Sequence, residues 1–124
     1  MSDLPQPPRN SQPALGAIRS AGGDELLRGM MGAFSDFAAA QAAWLDRLAD
    51  SRAYDSVVEG ARVLRISAEQ VGVLDVVAAC EHAEAAAAAQ DAAAVRIALE
   101  EVHETLATAR PWVDALAAGV SEPT

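Results

Sequence analysis

Val95-Arg96-Ile97-Ala98-Leu99-Glu100-Glu101-Val102-His103-Glu104-Thr105-Leu106-Ala107-Thr108-Ala109-Arg110-Pro111-Trp112-Val113-Asp114-Ala115-Leu116 is the stretch that decides the fold. Val95, Leu99, Val102, Leu106, Ala109, Val113 and Leu116 follow one another in alternating steps of 4 and 3. Such steps stack on one side of a helix with 3.6 residues per turn. Pro111 lies inside the run. It lacks a backbone donor, which predicts a bend or a break near Ala109. Gln90-Asp91 reads as the turn before this helix, with Asp91 as its cap, and Gly119 as its end.

The same period extends outward towards the N-terminus. A helix is expected from about Val73 to Ala89, with Leu74, Val77, Ala78 and either Cys80 or Glu81 turned inward or to the flank. Its alanine run, Ala85 to Ala89, reads as a slim helical face. Before it, Val57, Ala61, Leu64, Ala68 and Val71 step by four and three, so a helix starts near Arg52 to Asp55 and stops at Gly72. Earlier still, Leu27, Met30, Met31, Phe34, Phe37, Gln41, Trp44, Leu45 and Leu48 mark a long helix ending near Asp50-Ser51. Asp24-Glu25 oppose the positive end of its dipole, and Asp24 is a candidate cap. Pro13 suits the first turn of a short helix through Leu15 and Ile18, closed by Gly22-Gly23. Residues 1–12, rich in Pro, Ser, Asn and Gln, read as a loose tail. The expected organisation is thus a tail over 1–12, a helical bundle over 13–119 and a second tail over 120–124. Long amphipathic helices with short links favour an antiparallel up-down four-helix bundle, its end covered by the short N-terminal helix.

Composition supports an all-α fold. The chain has 124 residues, of which 52% are hydrophobic and only 4% aromatic. Alanine supplies much of the apolar content, so the core must come from helices in close approach. The net charge is −9, and all nine basic residues are arginine. An acidic chain repels phosphate backbones and anionic membranes, so neither nucleic acid nor membrane is expected as a partner. Cys80 is the single cysteine, which excludes an internal disulfide. The N-terminus has no basic region followed by an apolar stretch, and no run is long enough to span a bilayer, so a cytoplasmic location is expected.

The stretch Arg62-Val63-Leu64-Arg65-Ile66-Ser67-Ala68-Glu69-Gln70-Val71-Gly72 carries the functional reading. It resembles, in register, the signature of the histidine-containing phosphotransfer (HPt) family, roughly His-x-x-Lys-Gly-x-x-x-x-x-Gly. Arg62 stands at the histidine position, Arg65 at the lysine and Ile66 at the first glycine; Gly72 matches the last. The opening from Leu15 to Phe34 and the Gln90-Asp91 turn are similar to the family's, so the likeness covers about residues 12–110. The resemblance implies the helical bundle and a place in a bacterial two-component phosphorelay. It also implies partners: a response-regulator receiver domain or a histidine kinase.

The departures remove the chemistry. In the family a histidine takes a phosphoryl group on a ring nitrogen, a lysine one turn on steadies the phosphoryl oxygens, and the adjacent glycine leaves room for the receiver. The guanidinium of Arg62 stays protonated and has no lone pair with which to attack phosphorus. Arg65 still suits a phosphate, but Ile66 fills the space that the glycine leaves. The chain is therefore expected to be a non-catalytic binder without a cofactor or metal. Its candidate partner-binding face is Val58, Arg62, Arg65, Ile66 and Glu69, apolar residues framed by arginines. An ordinary helix surface carrying a few apolar residues is the plainer alternative.

Other readings compete. His82 and His103 are the only histidines, and each is a candidate displaced phosphoryl acceptor. Both have acidic neighbours that repel a phosphoryl group. Glu100-x-x-His103 has the spacing of a di-iron ligand pair, but no second such pair exists. Cys80 reads as a buried, inert thiol. Trp44 and Trp112 read as core or rim. A structural homodimer using the Val58/Ile66 surface or the alanine-rich helices is the third alternative, beside a monomer.

Overall fold

The computed structural model describes residues 4–120, which form four helices with no strand among them. They are α1 (Gln12–Asp50), α2 (Tyr54–Val71), α3 (Leu74–Ala88) and α4 (Ala92–Ala117). α1 packs against α2 and α4, and α3 packs against the same two, which closes a ring without diagonal contacts among the described residues. None of these helices is long and apolar enough to cross a membrane.

In α1, α2 and α4 much of the core follows the stripes legible in the sequence. Leu27, Met31, Phe34 and Leu45 come from α1, and Val57, Ala61, Leu64, Ala68 and Val71 from α2. α4 contributes Val95, Leu99, Val102, Trp112, Val113 and Leu116. Nine of the 27 buried apolar residues are alanine, so the helices approach closely enough for small side chains to fill the interior. At Gly60, α2 comes close to α1. A Cβ there would lie 2.8 Å from Leu45 Cδ2, and Gln41 Nε2 donates to the Gly60 carbonyl at 3.0 Å.

The helix ends follow local chemistry. Gly72 closes α2 at φ 79°, in the left-handed region that favours glycine. It also lies under the N-terminal segment, because a Cβ there would sit 3.0 Å from the Ser11 carbonyl oxygen and 2.9 Å from Ala14 Cβ. Asp91 caps α4 as expected, its carboxylate accepting the Ala94 amide at 3.1 Å.

The short first helix does end at Gly22-Gly23, as expected: within α1, Gly23 leaves helical dihedrals at φ 69° and ψ −163°, so the span comprises two helices joined at a kink. Several other expectations need correction. Asp24 takes the Arg19 guanidinium as a partner, Nε to Oδ1 at 3.4 Å. In the segment expected as a loose tail, Leu4 packs half-buried on the core and Ser11 is buried, while Gln6, Pro7, Arg9 and Asn10 are exposed. Residues 1–3 and 121–124 of the two expected tails lie outside the described residues, and Val120 is half-buried. In α3 the inward residues are Val76, Ala79, Cys80, Ala83 and Ala87, while Leu74 and Ala78 are exposed. The alanine-rich sequence gave too little contrast to fix that rotation. α4 runs unbroken through Pro111, which lies on an exposed part of the helix where a freed carbonyl can turn to water. Trp112 is buried, whereas Trp44 is half exposed.

Candidate functional site

α2 presents its stripe at Val57, Ala61, Leu64 and Ala68 to the core, which turns Arg62 and Ile66 to the outside. Arg62 is exposed. Its Nη1 lies 4.0 Å from Glu59 Oε1, one turn earlier, a loose surface pair that fixes little. Ile66 is 42% exposed. Val58 is half-buried and packs against the core rather than standing free.

Arg65 and Glu69 have work within the molecule. Arg65 grips Glu84 of α3 in a fork, Nε to Oε2 at 2.7 Å and Nη2 to Oε1 at 3.2 Å. Its Nη1 reaches Glu69 Oε1 at 3.3 Å. The Glu84 hydrogen bond is the main reason the guanidinium's proton is held even more firmly than usual, against a partial desolvation cost. The five residues grouped from the sequence therefore divide. Arg62 and Ile66 face solvent, Arg65 fastens α2 to α3 with Glu69 of its own helix beside it, and Val58 is half-buried against the core.

Two residues outside that group complete the apolar surface. Trp44 of α1 is 49% exposed and Val63 of α2 is 45% exposed. With Leu48, Glu59 and Gly60 they line a shallow depression of about 430 Å³ along the α1–α2 seam. Val63 carried a readable signal, since it is an apolar residue two positions beyond Ala61 and so off the buried stripe. Trp44 carried none, because its spacing fits the stripe of α1 and only the position of α2 leaves it uncovered.

The histidines bridge helices. His82 Nδ1 lies 2.9 Å from Glu101 Oε2 of α4, and His103 Nε2 lies 2.8 Å from Asp46 Oδ2 of α1. The hydrogen bond that Glu101 accepts from the ring, and then its charge, raise the His82 pKa above its ordinary value. His103 thus turns to Asp46, and no group of three or more His, Cys, Asp or Glu among the described residues can hold a metal ion. Burial, with a smaller contribution from Glu84, pushes the Cys80 thiol up to about 12, which leaves it protonated and unreactive.

No family model, curated protein or solved structure matches the chain.

Proposed function

We propose that the chain is a non-catalytic, HPt-like regulatory protein of a bacterial two-component phosphorelay. It docks a receiver domain or a histidine kinase in the cytoplasm without accepting phosphate. The observation that carries this reading is the exposed Arg62 on the outer face of α2, at the position where the resembling family keeps its nucleophile. A permanently protonated guanidinium there can meet acidic groups of a partner but cannot take a phosphoryl group. Trp44, Val63 and Ile66 add the apolar area and the aromatic anchor that protein interfaces favour.

An antiparallel up-down bundle is part of the same proposal. Ser35 of α1 meets Asp114 of α4, whereas Asp46, later in α1, meets His103, earlier in α4. That order is the one expected of neighbours running in opposite directions.

Titration against receiver and kinase domains tests the reading, with Arg62→Glu/Ile66→Glu and Trp44→Ala as variants. Weaker binding by both variants supports it. Binding that neither variant changes removes the face, and no binding to either class of domain removes the function.

A second reading has one observation in its favour. With Nδ1 of His82 engaged by Glu101, Nε2 is the ring atom left to act as a nucleophile, on a side chain that is 65% exposed. Incubation with a phosphorylated receiver separates the two. Acid-labile label on the wild type that disappears in His82→Gln establishes this second reading and overturns the first.

A further inference from the structure

We propose that the seam between α1 and α4 binds a single-chain amphiphile whose head carries one anionic group and one ammonium group. This site lies on a different side of α1 from the Trp44 seam and does not depend on the docking function.

The first half of the seam is apolar. Phe34, Ala38 and Ala42 of α1 face Leu106 and Pro111 of α4 across a groove of about 530 Å³. That volume is within the range of small-molecule sites. The groove stays open because the alanines of α1 are too short to fill the space beside α4. Ser35 and Arg110 both turn to Asp114 at its far end, at 2.6 and 3.4 Å, so the polar groups there already have partners.

The second half is polar. His103 also lines a second cavity of about 530 Å³, bordered by Asp46, Asp50, Arg52, Tyr54, Arg96 and Glu100, so the ligand passes over the Asp46–His103 contact from one space to the other. His103 is itself satisfied by Asp46 at 2.8 Å. Five charged residues line the cavity; Asp46 is held by His103, whereas Asp50, Arg52, Arg96 and Glu100 make no ion pair or side-chain hydrogen bond with any described residue. Two guanidiniums and two carboxylates thus border one space without meeting each other.

This arrangement selects the head. A purely anionic head suits Arg52 and Arg96 but meets Asp50 and Glu100. A purely cationic head has the converse conflict. A head with both charges places its anion on the arginines and its ammonium on the carboxylates, which satisfies all four. The tail then lies along Ala42, Ala38 and Phe34, away from water. Pro111 and Arg96 are fifteen residues apart on α4, about 22 Å at the helical rise, which accommodates an extended alkyl chain and its head.

The test is an NMR titration of the full chain with dodecylphosphocholine below its micelle concentration. Dodecanoate and dodecyltrimethylammonium serve as single-charge controls. The expected result is saturable shifts at the amides of Ala38, Ala42, Ala107 and Arg96, with several-fold weaker binding of both controls. Ala39→Leu/Ala107→Leu, at two exposed groove positions, should abolish binding of all three probes. Arg52→Gln/Arg96→Gln should remove the preference of phosphocholine over trimethylammonium. Unchanged circular dichroism would verify that both variants keep the fold. The proposal is overturned by an absence of saturable shifts, by equal affinity for the three heads, or by shifts confined to Trp44 and Val63. It is equally overturned if the groove amides shift with chain concentration alone, because a second copy would then be the occupant.

Discussion

Arg65 of α2 and Glu84 of α3 are joined by two hydrogen bonds, at 2.7 and 3.2 Å, in the planar fork geometry that arginine and a carboxylate share. Arg65 is thus a fastener between α2 and α3.

Breaking that fork from one side should be worse than removing it whole. Glu84→Lys places two cations together and Arg65→Met leaves a half-buried carboxylate without its partner, so each should lower Tm. The pair Arg65→Met/Glu84→Leu should recover most of the loss, and Glu69→Gln should change Tm least. Thermal unfolding followed by circular dichroism would read this order; a double variant less stable than either single one would contradict it.

Gly72 carries two constraints that a methyl group violates together. Its φ is 79°, and the added Cβ would press on the Ser11 carbonyl and Ala14 Cβ at 3.0 and 2.9 Å. The left-handed backbone alone costs an L-residue about 1–2 kcal/mol. Gly72→Ala should therefore lower the urea midpoint by at least that equivalent and shift the amide signals of Ser11 and Ala14. An unchanged midpoint would show that the N-terminal segment does not rest on this turn.

The two tryptophans should behave oppositely. Trp112 is buried among α4 and its neighbours, and Trp112→Ala should cost about 3–5 kcal/mol of stability. Trp44→Ala, at a half-exposed position, should change stability by about 0.5 kcal/mol or less while weakening partner binding. Acrylamide quenching of the single-tryptophan variants would verify the assignment, with strong quenching expected only of Trp44.

The His82–Glu101 contact predicts a pH dependence with a definite sign. Its folded-state pKa is raised, so the stabilisation is fully present below the unfolded value, about 6.5, and is lost as pH rises through the folded value. The wild type should exceed His82→Gln in stability on the acid side and match it on the alkaline side. An imidazole titration by NMR should place His82 above its ordinary value, falling back in Glu101→Gln. A normal value in the wild type would contradict the contact.

How much the sequence revealed depended on contrast between neighbouring side chains. The stripe Val57-Ala61-Leu64-Ala68-Val71 lies among charged residues, and each of its members is buried as read. α3 has alanine on nearly every side, and there the reading misplaced Leu74 and Ala78, which are exposed. The candidate site was legible in the same graded way. Exposure of Arg62 and Ile66 follows from the phase of α2 alone. The capture of Arg65 by Glu84 depends on a residue 19 positions away, on another helix.

Local chemistry therefore determined that this chain is helical, where α2 ends at Gly72, that Asp91 caps α4, and that residue 62 cannot be a phosphoryl acceptor. Each of these follows from dihedral preference, side-chain period or the protonation of a guanidinium, all properties of residues close in sequence. The tertiary structure decided that Trp44 stays uncovered beside Val63, that Glu84 occupies Arg65, and that two hollows flank His103 along the α1–α4 seam. Those outcomes depend on how far apart two helices stand and which faces they turn to each other, and no single helix encodes either.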